Sequence, residues 1–277
     1  MEHVAGSIAA LQRQSPLNAL ETRILLCHVT GLSRIELITR SEQVPAPEQA
    51  DALAQAIQRR MNGEPIAYIV GQREFYGLML RVTPDVLIPR PETELLVELA
   101  LERLPPQGRV LDMGTGSGAI AVAIAHARPD ADVTALDSSA AALAVAAGNA
   151  ALHLQHRATP VHFIESDWYD ALTDRQFDLI AANPPYIVAH DVHLSQGDLR
   201  FEPVGALTDH GDGLSALQTI IEGAPAHLRP GNGWLLMEHG YDQAAAVRAH
   251  LELNGFTEVQ SWRDLAGIER VSGGKRL

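Results

Sequence analysis

Asn183-Pro184-Pro185-Tyr186 follows the apolar run Phe177-Asp178-Leu179-Ile180-Ala181-Ala182. A buried strand needs none of those four residues to stop. Asn183 offers a side-chain amide oxygen and Pro184 a backbone carbonyl, two acceptors close together. The paired prolines restrict the backbone, and Pro184 biases Asn183 toward an extended conformation, so both acceptors stand in place before a ligand arrives. Tyr186 adds an aromatic face that can stack on a planar group. Such a pair suits a planar nitrogen that carries hydrogen: it fixes the nitrogen's plane and stabilises the positive charge that grows as the nitrogen is alkylated. Methyl transfer to an amide or aromatic amine needs this help, because the lone pair is delocalised and no side chain here can deprotonate the group at neutral pH.

A second cluster follows the run GRVLDM. Gly114, Thr115, Gly116, Ser117 and Gly118 form a loop in which glycine permits tight turning and close approach of a ligand to the free N–H groups of the next helix. With Ala119 in its last place the loop also satisfies the dinucleotide pattern, so the glycines alone leave a nicotinamide cofactor open. Asp137, 19 residues beyond Gly118, stands where a carboxylate can accept both hydroxyls of an adenosine ribose, a feature of both cofactor classes. Trp168, next to Asp167, can lay its ring along an adenine or cap the sheet rim.

These residues share a setting. From residue 109 onward apolar strands alternate with helices: GRVLDM, GAIAVAIAHA, DVTALD, AAALAVAAGNAALHL, PVHFIESD, FDLIAANPP, NGWLLMEHG and YDQAAAVRAHLELNG. Continuously apolar strands in this rhythm predict an α/β fold, a mostly parallel sheet covered on both faces, and FTEVQSWRDLAGIERVSGG predicts an antiparallel closing pair. Ligands of such sheets bind beyond the carboxyl ends of the strands, and all the residues named above lie at those ends. Residues 1–70 predict a small helical bundle. Ser15-Pro16 is read as the start of a helix over LNALETRILLCHV, Ser33 with Glu36 as a capping box, and PEQADALAQAIQRRMNG as a helix with Ala50, Leu53, Ala54 and Ile57 on one stripe and Gly63 as its stop. Residues 71–90 hold a β-hairpin about Gly77 that serves as connector, and residues 91–277, opened by Pro91, form the α/β domain. Arg90, Glu92 and Glu94 near this boundary, and Glu238 at the fifth strand tip, are open between ligand contacts and ordinary structural roles.

Composition narrows the functions. The 277 residues carry a net charge of −13, which disfavours nucleic acid as a direct partner. No apolar run reaches the ~20 residues of a membrane span, and the N-terminus lacks the order of an export signal, so a cytoplasmic protein is expected. Lys275 is the only lysine, which removes Schiff-base chemistry and a phosphate-loop lysine. Cys27, the single cysteine, is read as a buried thiol. His153 with His156, and His190 with His193, are spaced to share a helix face but lack a third ligand, so no metal is expected.

The glycine loop, Asp137 and Asn-Pro-Pro-Tyr in this order resemble the class I S-adenosylmethionine-dependent methyltransferases, of which those acting on DNA adenine share the last motif. FYGLMLRVTPDVLIPRPETE before the loop and DLRFEPVGALTDHGDGL after Tyr186 are similar to the peptide-chain release factor glutamine methyltransferases, the HemK family, along nearly the whole chain. The resemblance implies a Rossmann-like domain with a seven-stranded sheet and S-adenosylmethionine bound by Gly114 to Gly118, Asp137, Trp168 and Asn183. It implies that Asn183, Pro184, Pro185 and Tyr186 receive a glutamine, and that the helical bundle grips a release factor. The product is then N5-methylglutamine in that factor's Gly-Gly-Gln motif, beside S-adenosylhomocysteine, and the enzyme is expected to work as a monomer. Gly148 departs from the long polar residue that members tend to carry, and glycine inside a helix costs stability.

Overall fold

A computed structural model describes residues 6–277; the first five residues of the segment compared above with an export signal lie outside it. The chain divides into two compact units, Met1–Gly71 and Gln72–Leu277.

The first unit holds α1 (Ile8–Gln14), α2 (Ala19–Thr30), α3 (Arg34–Thr39), α4 (Pro47–Met61) and α5 (Ile66–Val70). Helices this short are marginal alone, and here Ile8, Leu25, Leu26, Leu37, Leu53 and Ile69 bury one shared core. The capping box forms as expected, with Ser33 and Glu36 each accepting from the other's backbone. Two details differ from expectation. The N-cap of α2 is Asn18, whose Oδ1 accepts from Leu20 and Glu21 N–H, while Ser15 closes α1 and its Oγ accepts from the Thr22 hydroxyl. Asparagine caps at least as well as serine and stands directly before the first helical turn. On α4 the buried residues are Leu53 and Ala56, with Ala54 exposed, because the core lies slightly to one side of the stripe that spacing suggested.

The second unit opens with an antiparallel hairpin of β1 (Gln72–Phe75) and β2 (Leu78–Arg81). Tyr76 and Gly77 turn it at φ 51° and 77°, the doubly left-handed turn whose twist suits a two-residue hairpin. Pro91–Thr93 form a 3₁₀ turn before α6 (Glu94–Arg103). The Glu94 carboxylate accepts from Tyr76 N–H at 2.9 Å, so this glutamate clasps the hairpin turn. There follow β3 (Arg109–Met113), α7 (Ala119–Ala127), β4 (Asp132–Asp137), α8 (Ala140–His153), β5 (His162–Glu165), β6 (Leu179–Ala182), α9 (Ser215–His227), β7 (Trp234–Glu238), α10 (Ala244–Leu253), β8 (Phe256–Arg263) and β9 (Glu269–Arg276).

Seven of these strands form one sheet in the order β5-β4-β3-β6-β7-β9-β8, with β9 antiparallel to both neighbours. Val110, Val133 and Ala181 pack on one face, and Leu111, Leu136 and Ile180 on the other. Both faces are covered, which is why the strands read as unbroken apolar runs. Helix α9 was not expected, because Gly223 and Pro225 break its pattern. A Cβ on Gly223 would stand 2.4 Å from the Tyr169 ring, so glycine is there to admit an aromatic side chain.

Gly148 lies inside α8 with open space where a Cβ would go. Gly148→Ala is therefore expected to raise the unfolding free energy by about 0.5–1 kcal/mol, read as a shifted denaturant midpoint with unchanged slope.

Candidate active site

From β3 the chain winds outward through β4 to β5, then returns to place β6 on the other side of β3. Diverging connections leave a crevice at that switch point. A cavity of about 300 Å³ opens there. Its floor comes from Gly114 to Ser117, its sides from Asp137 and Trp168, and its far wall from Asn183, Pro184 and Pro185. The parallel strands thus gather four separate segments of sequence at one edge.

The glycine loop is held by two carboxylates. Asp137 accepts from Gly116 N–H through Oδ2 and from Ser139 N–H through Oδ1, both at 2.9 Å, and a carboxylate so used keeps lone pairs for a further donor. Gly114 and Gly116, at φ 72° and 55°, line the cavity directly. Gly118 caps α7 at φ 82°, away from the lining, and a Cβ there would press on Ala146 at 3.0 Å; its role is to let α7 and α8 approach. The second carboxylate, Asp112, is fully buried and accepts from Thr115 Oγ1 at 2.6 Å and Ala121 N–H at 3.0 Å. Asp112 is absent from the sequence reading above, and its one signal there is an acid inside the apolar strand Val110-Leu111-Asp112-Met113.

On the far wall the Asn183 amide nitrogen donates to Thr93 Oγ1 at 3.2 Å, and its Oδ1 is buried without a partner. A smaller cavity of about 70 Å³ adjoins this wall and includes Tyr186, Ile187 and Leu199. Asn183, Pro184 and Arg90 line both cavities. The Tyr186 hydroxyl donates to Glu238 Oε1 at 3.3 Å, and burial pushes the phenol's pKa up, so it stays protonated. Gln243 anchors the backbone here: its Nε2 donates to the carbonyls of Tyr186 and Gly213, both at 3.1 Å, and its Oε1 accepts from Gly240 N–H. Spacing gave no hint of Gln243, which meets Tyr186 only because β6 and β7 are neighbours.

Over the cavity, Glu202 joins two loops. Its carboxylate accepts from Ile88 N–H at 2.9 Å and pairs with the Arg90 guanidinium. Arg90 is thus a lining residue, while Glu92 is exposed and outside the lining. The histidine pairs do not share helix faces: His153 ends α8 and meets the Met79 carbonyl, while His190 precedes the 3₁₀ turn Val192–Ser195 in which His193 pairs with the capping Asp191. Among the described residues no helix is long and apolar enough to cross a membrane.

Two buried acids give the site a pH signature. Burial pushes Asp112 up to about 7 against the pull of its hydrogen bonds, and pushes Glu238 up to about 7 against Thr93, Arg270 and Tyr186. An acid whose folded pKa is raised binds more protons folded than unfolded between the two values, so stability falls as pH rises from about 4 to 7. Asp112→Asn is expected to flatten that fall, by an amount on the order of 2–4 kcal/mol in the ligand-free protein. Urea titrations across pH 5 to 7.5 measure it.

Residues 5–71 match the PrmC N-terminal domain family and residues 91–199 the methyltransferase small domain family. A solved methyltransferase from Pyrococcus furiosus is 18% identical with a TM-score of 0.54, covering 81% of this chain and 100% of that one, a likeness of fold. The release factor glutamine methyltransferase of Burkholderia pseudomallei is 57% identical, covering 98% of this chain and 96% of its own. That of Neisseria gonorrhoeae is 53% identical over 95% of each chain. With this likeness sustained through both units, the chain belongs to the release factor glutamine methyltransferase family.

Proposed function

We propose that this protein methylates N5 of the glutamine in the Gly-Gly-Gln motif of peptide-chain release factors, with S-adenosylmethionine as methyl donor and S-adenosylhomocysteine as product, in support of translation termination. The observation that carries this reading is the buried, unpartnered Asn183 Oδ1 on a wall shared by two cavities. An orphaned acceptor costs about 1–3 kcal/mol, a cost offset when a ligand N–H reaches it.

The larger cavity has the size and lining for a nucleoside-bearing cofactor. Asp137 would take the ribose hydroxyls, Trp168 the adenine face, and Gly114 and Gly116 the close approach, with Thr115, Ser117 and Gly118 giving that loop its shape. When bound, the cofactor supplies an electrophilic methyl carbon. The chain's own work is orientation. Asn183 Oδ1 and the Pro184 carbonyl accept the two amide hydrogens of the glutamine, Pro185 stiffens the turn, and Tyr186 lies along the amide plane in the smaller cavity. Held so, the nitrogen presents its lone pair in one direction, and after transfer the cationic methylated nitrogen releases one of its two protons to water.

The helices of residues 1–70 would grip the release factor, residues 71–90 connect, and residues 91–277 carry the chemistry. The net charge of −13 supports a protein partner over nucleic acid. We place the reaction in the cytoplasm, on a monomer and without a metal. Incubating the purified protein with labelled cofactor and either release factor or DNA tests the reading. Mass spectrometry should find one methyl group on the motif glutamine, whereas label in DNA alone would instead indicate adenine-N6 methylation and reject it.

A further inference from the structure

The reading above, on which this inference rests, requires the Tyr186 ring to lie along the glutamine amide. Tyr186 stands past the end of β6 and outside any strand or helix, so the direction of its side chain depends on bonds from elsewhere. Gln243, directly before α10 and 8% exposed, makes them. Its Nε2 donates to the carbonyls of Tyr186 and Gly213, both at 3.1 Å, and its Oε1 accepts from Gly240 N–H at 2.8 Å. A side-chain amide has two N–H donors and one oxygen, and two carbonyls and one N–H take them all in a single orientation. The peptide after Tyr186 is also held on its other edge, where Ile187 N–H donates to the Leu207 carbonyl at 2.9 Å. A peptide group is planar, so fixing its C=O and its N–H fixes its plane, and with it the direction in which the Tyr186 side chain leaves the backbone. At the far end of the ring the hydroxyl reaches Glu238 Oε1 at 3.3 Å.

Gly213 is a second, independent sign of this arrangement. Its φ is 78°, and a Cβ there would fall on the Tyr186 carbonyl oxygen and stand 2.8 Å from Gln243 Nε2. The loop before α9 thus carries no side chain where Gln243 reaches across to Tyr186. We propose that Gln243 is a positioning residue for methyl transfer: with Gly213 it fixes the peptide after Tyr186 and so holds the Tyr186 ring along the substrate amide. Gln243 and Gly213 lie outside the lining of both cavities, and Tyr186 lines the smaller one alone. The effect should therefore appear in kcat and leave the cofactor's affinity unchanged.

The test is a double-mutant cycle in the full-length protein with release factor as substrate. Gln243→Met keeps the length of the side chain and removes both donors. It should lower kcat about 10- to 30-fold and leave the S-adenosylmethionine dissociation constant within about 2-fold of wild type. Gly213→Ala changes a different segment and should give the same pattern, so either single variant carries the test where the other does not fold. In a Tyr186→Ala background Gln243→Met should lower kcat by less than about 3-fold more, because its effect travels through the ring. A folded single variant with kcat within about 3-fold of wild type would overturn the proposal alone. So would a cofactor dissociation constant raised as far as kcat is lowered, or a full additional loss in the double variant. Absence of wild-type transfer to the release factor would overturn the functional reading and this inference together.

Discussion

Asn183→Ala should lower the rate of methyl transfer to a release factor by about 10²- to 10³-fold, the range seen when one fixed partner of a developing charge is removed. The structure supplies the reason for an effect this large. Asn183 Oδ1 is buried without a partner, its Nδ2 is already committed to Thr93, and alanine offers neither atom. The Pro184 carbonyl remains, so the glutamine amide would keep one of its two anchors and rotate about it. Association with the release factor should persist, because the residues proposed to grip it lie in the other unit. Single-turnover rates at saturating cofactor, with pull-down of the release factor alongside, separate the two effects. A variant that retains transfer within about 5-fold of wild type would remove the two-acceptor account.

The second large effect is expected at the cofactor. Asp137→Ala should weaken S-adenosylmethionine binding about 100-fold or more, as read by calorimetry. Hydrogen bonds to a charged group contribute about 1.5–3 kcal/mol each, and this carboxylate makes two before any ligand arrives. It holds Gly116 N–H and Ser139 N–H, both at 2.9 Å, so its loss frees the glycine loop as well as removing the proposed ribose acceptor. Asp137→Asn keeps one acceptor and should fall between wild type and alanine. At saturating cofactor the alanine variant's kcat should stay within about 10-fold of wild type, since Asp137 ends β4 and Asn183 follows β6, with β3 between them. An unchanged dissociation constant would show that the loop needs no clamp.

The parts of the fold that could be read in advance are those with a local cause. Strand β3 carries apolar Val110, Leu111 and Met113 because both faces of the sheet are covered, and the glycines after it mark a turn that other residues resist. The capping box at Ser33 and Glu36 needs only a spacing of three residues. Helix α9 escaped notice because its glycine answers to Tyr169, 54 positions earlier in the chain, and no local pattern reports that. The cap of α2 moved to Asn18 because two acceptable capping residues stood three positions apart and only packing chose between them.

For the site the division is similar. Sequence alone determined which groups stand at the strand ends and so which chemistry is proposed: the Asn183 amide and Pro184 carbonyl, the loop from Gly114 to Gly118, Asp137 and Trp168, each recognisable because its residue types are unusual at the end of a strand. Tertiary structure alone decided what stands behind them. Thr93, Glu202, Glu238 and Gln243 act through partners 30 to 114 residues away, and their side chains look ordinary in the chain. Parallel pairing of β3, β6 and β7 makes them neighbours. A residue that bonds a ligand must carry a distinctive group where the strand ends, whereas one that orients its neighbour needs only to be brought near, and nearness is a property of the folded chain.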